Sequence, residues 1–242
     1  MKIGIIIQAR MLSTRLPGKV LKKINNNKVV LEMISKRLEH VENKTDIIFA
    51  TSKNKADDKI EEFCRKKKYA FFRGDEKNVL KRYYEAAKSF NLDVVVRCNA
   101  DCPLIDSKIV NKVILEFLNS DADYVSNILK PSFPVGMHTE VFSFKSLKKA
   151  FKEASDEEEL EHVTPYFYRN PEKFKLKNVK HSEDLSHHRW TLDYKEDLNL
   201  ISKIYFELKN KDIFSMEEIL EVFEKQPTLF DINSHYKKDG TV

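Results

Sequence analysis

Between Gln8 and Lys19 the chain reads Gln-Ala-Arg-Met-Leu-Ser-Thr-Arg-Leu-Pro-Gly-Lys, with three cations, two hydroxyls and a Pro-Gly turn in one short stretch. Arginine offers phosphate oxygens a planar fork and lysine a compact point charge, so Arg10, Arg15 and Lys19 are candidate ligands for a phosphate chain. The stretch carries neither G-x-G-x-x-G nor G-x-x-x-x-G-K-[ST], the two common glycine-rich phosphate loops. Asp101 and Asp193 each follow an apolar run. Carboxylates at strand ends that face one crevice are a common way to hold a divalent cation against phosphates. Asp106 and Asp197 precede helical patterns and read as caps. His138, Glu140, His162, the pair His187-His188 and Arg189 are further polar candidates, without the paired spacing of a zinc site.

The elements that would position these residues follow from periodicity. Apolar runs at 2–7, 46–51, 69–72 and 93–98 read as strands. Between them, 30–41, 57–68 and the stretch after Asp75, which is placed to cap it, read as helices. Arg73-Gly74-Asp75 reads as a turn, and so does Asn25-Asn26-Asn27. Strands alternating with helices imply an α/β layer fold with a mostly parallel sheet. Ligands then sit beyond the carboxyl ends of the strands, where the segments after the first and fourth strands should lie side by side. In the second half, a helix over 106–118 is followed by strands over 123–127, 140–144, 174–179 and 190–193. Helices are expected over 145–153, 157–169, 197–208 and 215–223. No linker interrupts the pattern, so 1–242 is read as one domain.

The 242 residues are 33% charged with a net charge of only +5, both signs interspersed, which argues against a nucleic-acid partner. No apolar run reaches the roughly 18 residues that suggest a membrane span. No secretory leader is visible, and three cysteines without a C-x-x-C pair suit a reducing cytoplasm.

With these residues in view, the chain resembles the cytidylyltransferases that make CMP-activated acidic sugars, such as CMP-Kdo and CMP-sialic acid synthetases, and above all the branch described as spore coat polysaccharide biosynthesis protein F. The likeness runs through Gln8 to Lys19, Arg73-Gly74-Asp75 with Arg82-Tyr83, and Asp101-Cys102-Pro103-Leu104-Ile105. It continues through Glu140 to Ser143, Glu161-His162-Val163-Thr164-Pro165 and Thr191-Leu192-Asp193. It implies a nucleotide-diphospho-sugar transferase fold, Rossmann-like and of the GT-A type, with a mixed, mostly parallel sheet flanked by helices. It further implies CTP as donor, a small anionic acceptor such as a sugar acid, and a requirement for Mg²⁺. By position it places Arg10, Lys19 and Asp101 in the reaction and Asp101 and Asp193 on the metal. Gln8, Ala9, Ser13, Arg15, Arg73, Arg97, Glu140, His162 and Arg189 fall to substrate binding. Gln8 and His138 depart from the family pattern and leave the acceptor sugar open. Relatives of this type often pair through their second halves, so a homodimer is allowed. The competing readings are a glycosyltransferase using a nucleotide sugar, with Asp121-Ala122-Asp123 as its metal motif, and a nucleotide-binding protein without activity.

Overall fold

The computed structural model describes residues 1–24, 28–211 and 213–236; the expected turn at Asn25–Asn27 lies outside them. The strands are β1 (Ile3–Gln8), β2 (Asp46–Ser52), β3 (Ala70–Gly74), β4 (Val94–Asn99), β5 (Tyr124–Ser126), β6 (Glu140–Ser143) and β7 (Leu176–Asn178). The helices are α1 (Val30–Leu38), α2 (Asp58–Lys67), α3 (Val79–Ser89), α4 (Ser107–Leu118), α5 (Phe144–Glu153), α6 (Glu157–His162), α7 (Pro165–Arg169), α8 (Lys195–Glu207) and α9 (Met216–Lys225).

One seven-stranded sheet runs in the order β3-β2-β1-β4-β6-β5-β7. β6 is antiparallel to both β4 and β5, while the other pairings are parallel. Period-two alternation divides the apolar residues between two cores. Ile5, Ile7, Phe49 and Val96 face a core shared with α1, α4, α8 and α9, and Ile6, Ile48, Val95 and Phe142 face one shared with α3, α5 and α7. Each fully buried isoleucine of β1 contributes about 1.5–3 kcal/mol of hydrophobic stabilisation. Burial on both faces explains why β1, β2 and β4 read as continuous apolar runs rather than alternating ones, while β3, at the sheet's edge, is only half-buried.

Four sequence expectations are corrected. β3 continues through Arg73 to Gly74, so Arg73 belongs to a strand and not to a turn. The cap of α3 is Asn78, whose side chain accepts from the Lys81 N–H at 2.7 Å, while Asp75 accepts from the N–H groups of Lys77 and Asn78 just before it. The helix expected over 157–169 is broken into α6 and α7. Val163 stands between them at φ 73°, ψ −51°, and the Thr164 N–H reaches the His162 carbonyl at 2.9 Å. This is a γ-turn of the rare, strained hand, and Pro165 then opens α7 at a position that needs no N–H donor. Finally, Trp190–Asp193 is not a strand. The Trp190 N–H goes to Val135, that of Leu192 to the Asp101 carbonyl and that of Asp193 to the Asp197 carboxylate. Among the described residues, no helix is long and apolar enough to cross a membrane.

Candidate active site

β1 and β4 are parallel neighbours with Gln8 opposite Asn99, so the loops that follow them leave the sheet side by side, as expected. The loop after β1 folds over itself. The Met11 carbonyl accepts from both Ser13 and Gly18, and Gly18 takes the left-handed conformation at φ 69°. Asp57 pins it from below, accepting from the Met11 N–H at 2.7 Å with one oxygen and from the Ser52 hydroxyl with the other. Two hollows open onto this edge, of about 220 and 460 Å³, and share Arg15, Arg97, Asn99, Asp101, His162 and Asp193.

Gln8, Arg10, Ser13, Thr14 and Lys19 line the smaller hollow. Ala9 is buried and spends its N–H on the Ala50 carbonyl. Arg10 is exposed and stands 3.8 Å from Glu161 of α6. The centre is a carboxylate cluster. Lys19 Nζ lies 2.8 Å from both Asp101 Oδ2 and Asp193 Oδ1. Arg15 Nη2 also reaches Asp193 Oδ1 at 2.8 Å, and Arg189 Nη2 reaches Asp193 Oδ2 at 2.8 Å. Burial disfavours the charges of Lys19 and Asp193, but their partners outweigh it. Lys19 titrates above its ordinary value and Asp193 below the usual carboxylate range.

The larger hollow has a different floor. The register sets Arg97 opposite Glu140, and the two form a buried ion pair. The Tyr124 hydroxyl donates to the other Glu140 oxygen at 2.6 Å. Burial opposes the Arg97 charge, yet Glu140 holds its pKa above the ordinary value; burial, then Glu140, push the Tyr124 phenol up. His138 is half-buried, and burial lowers its pKa, so it is neutral at neutral pH. Tyr168, pushed up to about 12 by burial and then by Glu140, is likewise a neutral hydrogen-bonding group. Gly136, at φ 112°, lies so close to the Trp190 backbone that a Cβ there would meet its carbonyl at 2.8 Å. His162 and Thr164 flank the strained Val163 turn and both line this wall. A β-branched residue holds such a conformation only when its surroundings fix it, and the Val163 side chain is fully buried in the second core.

Of the candidate substrate ligands, three are not brought to the cleft: Arg73, Arg189 and the buried Ala9. Arg73 lines neither hollow: its guanidinium is tied to Asp58, Glu61 and the carbonyls of Ser52 and Asn54. Arg189 is buried behind Asp193 and bonded to Asp197, so the structure puts it at the back of the carboxylate and not against an acceptor. Asp197 does cap, accepting from the Asp193 and Tyr194 N–H groups as the third residue of α8, but it is also the counter-charge of Arg189. Asp121 and Asp123 lie before β5 at the opposite edge of the sheet, bonded to Lys175, which removes the support for a glycosyltransferase motif there. Sequence reading missed Asn99, Thr164 and Tyr168. Asn99 had a usable signal, since it ends β4 directly opposite Gln8.

Among the described residues, no group of three or more His, Cys, Asp or Glu side chains gathers to hold a metal. Asp101 and Asp193 nonetheless aim one oxygen each at a common point, now filled by Lys19 Nζ. Two carboxylates and an adjacent cationic hollow suit Mg²⁺, which is usually bound by one or two carboxylates with water and substrate phosphates completing its shell.

Residues 4–232 match the family model described as cytidylyltransferase. The chain is 38% identical to an uncharacterised protein of Methanocaldococcus jannaschii, over 98% of this chain and 97% of that one. It is 28% identical to the spore coat polysaccharide biosynthesis protein SpsF of Bacillus subtilis, over 92% and 94%. A solved cytidylyltransferase of Leptospira borgpetersenii superposes with a TM-score of 0.91 at 34% identity, covering 98% of this chain and 100% of that one. A CMP-2-keto-3-deoxy-manno-octonic acid synthetase solved with CTP superposes at 0.64 with 15% identity, covering 86% and 100%, a likeness of fold. The sheet is therefore that of the nucleotide-diphospho-sugar transferases, mixed and mostly parallel. This chain belongs to the cytidylyltransferase family.

Proposed function

We propose that the protein transfers CMP from CTP to a hydroxyl of a small anionic acceptor, a sugar acid, and releases pyrophosphate, in the making of a surface polysaccharide or glycan. The observation that carries this reading is the meeting of the cationic loop with Asp101 and Asp193 across two connected hollows. The smaller hollow, lined by Arg10, Arg15, Lys19 and Arg97, takes the triphosphate; the larger takes the acceptor. The acceptor hydroxyl attacks the α-phosphorus in line and gives up its proton to solvent, and the bond to the bridging oxygen breaks as pyrophosphate leaves with the electron pair. Arg10, Arg15 and Lys19 stabilise that leaving charge, and positioning does the rest. Gln8, Ser13 and Asn99 line the floor under the nucleotide; His138, Glu140, His162 and Tyr168 face the acceptor. Mg²⁺ held by Asp101 and Asp193 supplies charge neutralisation at the α-phosphate when bound.

The test is pyrophosphate release from each of the four nucleoside triphosphates with Mg²⁺, against Kdo, sialic, legionaminic and pseudaminic acids and simple phosphorylated acceptors. Release with CTP and one sugar acid is expected. A protein that binds no CTP in a thermal-shift titration would overturn the reading.

A further inference from the structure

The cations around Asp193 are of two kinds. Arg189 is sealed in, its side chain 2% exposed, and Asp197 holds it from behind. Asn233 backs both, donating to the Arg189 carbonyl at 2.9 Å and to Asp197 Oδ1 at 2.8 Å. Lys19 and Arg15 come from the folded loop, with side chains 10% and 37% exposed, and line the hollow that suits a triphosphate. Lys19 is anchored by its backbone N–H to the Leu16 carbonyl, so its four-carbon stem can swing without unfolding the loop. Lys19 Nζ also stands where a divalent cation bound by Asp101 Oδ2 and Asp193 Oδ1 would have to be.

We propose that Lys19 is the resident counter-ion of the two-carboxylate site and is exchanged for the divalent cation only when a triphosphate draws it away, with Arg189 remaining as the fixed charge behind Asp193. The proposal rests on the nucleotidyl-transfer reading above and adds an order to it: nucleotide first or together with metal, never metal alone. Two like charges cannot share one point between two carboxylates, so the bare site repels a metal until the ammonium leaves. Arg15 Nη2 holds the same Asp193 Oδ1 at 2.8 Å, so phosphate oxygens must draw both loop cations off; that movement uncovers two hard oxygen ligands. Linkage makes the effect mutual: CTP tightens the metal by the factor by which the metal tightens CTP.

The experiment is Mn²⁺ binding by electron paramagnetic resonance to the metal-free protein, without nucleotide. Wild type is expected to bind weakly. Lys19→Met, which keeps the bulk and removes the charge, is expected to bind at least about tenfold more tightly, within the usual 5–150-fold range of site coupling. Lys19→Arg is expected to stay as weak as wild type, and Asp193→Asn placed in the Lys19→Met protein to abolish the gain. A merely structural lysine would not produce tighter metal binding on removal. Should Lys19→Met fail to fold, wild type alone decides: tight Mn²⁺ binding without nucleotide, lost in Asp193→Asn, overturns the proposal. Equal affinity of wild type and Lys19→Met overturns it as well. If wild type releases pyrophosphate from CTP and Lys19→Met shows no gain, only the exchange is wrong; if wild type binds no CTP, the functional reading falls first.

Discussion

The two hollows share a wall yet are built on opposite electrostatic plans. The smaller is lined by four cations, Arg10, Arg15, Lys19 and Arg97, against two carboxylates, Asp101 and Asp193. The larger is lined by two cations, Arg15 and Arg97, against four carboxylates, Asp101, Glu140, Glu158 and Asp193. In the first, three of the four cations, Arg10, Arg15 and Lys19, come from the loop after β1 and its end, and can change partners. In the second, the central pair is fixed between adjacent strands and sealed by Tyr124. The difference teaches that one side of the cleft is arranged to respond to a ligand, while the other keeps its shape.

That contrast can be broken by substitution. Asp101→Asn is expected to lower CTP-dependent pyrophosphate release by at least about 10²–10³-fold, with little change in melting temperature. A fully active Asn variant would remove Asp101 from the reaction. Glu140→Gln is expected to act on the fold as well as on the acceptor side. It strands the Arg97 guanidinium without its counter-charge and should cost about 3 kcal/mol in urea unfolding. Unchanged stability would mean that the pair serves the acceptor rather than the fold.

Acid should act differently on His188 and on Asp193. Burial, and secondarily His187, push His188 down to about 4. The unfolded chain therefore takes up its proton first, and stability is full above about pH 6.5 and falls as pH drops toward about 4, by up to about 3 kcal/mol. Asp193, held below its ordinary value, contributes stability that persists until the pH falls below about 3.9. Unfolding midpoints compared at about pH 7 and about pH 4.5 should diverge in wild type and converge in His188→Phe. An equal acid loss in the variant would exonerate His188. The smallest effect is expected from Arg73→Ala, about 1 kcal/mol of stability with an unchanged KM for CTP, because its ion pairs are partly exposed. A tenfold rise in KM would return Arg73 to the site.

The first hundred residues were largely legible because β1, β2 and β4, buried on both faces, leave unbroken apolar runs; just beyond them, Asp106 caps α4 as its position suggests. The cationic loop was legible by chemistry alone. What was hidden rests on contacts between distant residues. No local periodicity announces a β-branched residue in a γ-turn, so α6 and α7 read as one helix. The apolar run at Trp190 looks like a strand, yet its N–H groups go to three separate partners rather than to one neighbouring strand. Arg189, beside two histidines, reads as a substrate ligand; the four-residue spacing Arg189, Asp193, Asp197 was its only trace of pairing. Arg73 sat in a stretch that resembles a family motif, but its partners lie on α2.

The bond between Lys19 and Asp193 joins positions 174 residues apart. Local hairpins and helix turns form early in folding, whereas contacts that close so long a stretch of chain come late. Neither β1 with its loop nor the β4 edge carries a finished centre by itself. During synthesis the ribosome must release the chain at least as far as Asp193 before the second carboxylate arrives. A chain that ends before Asp193 would lack the pairing on which the centre depends.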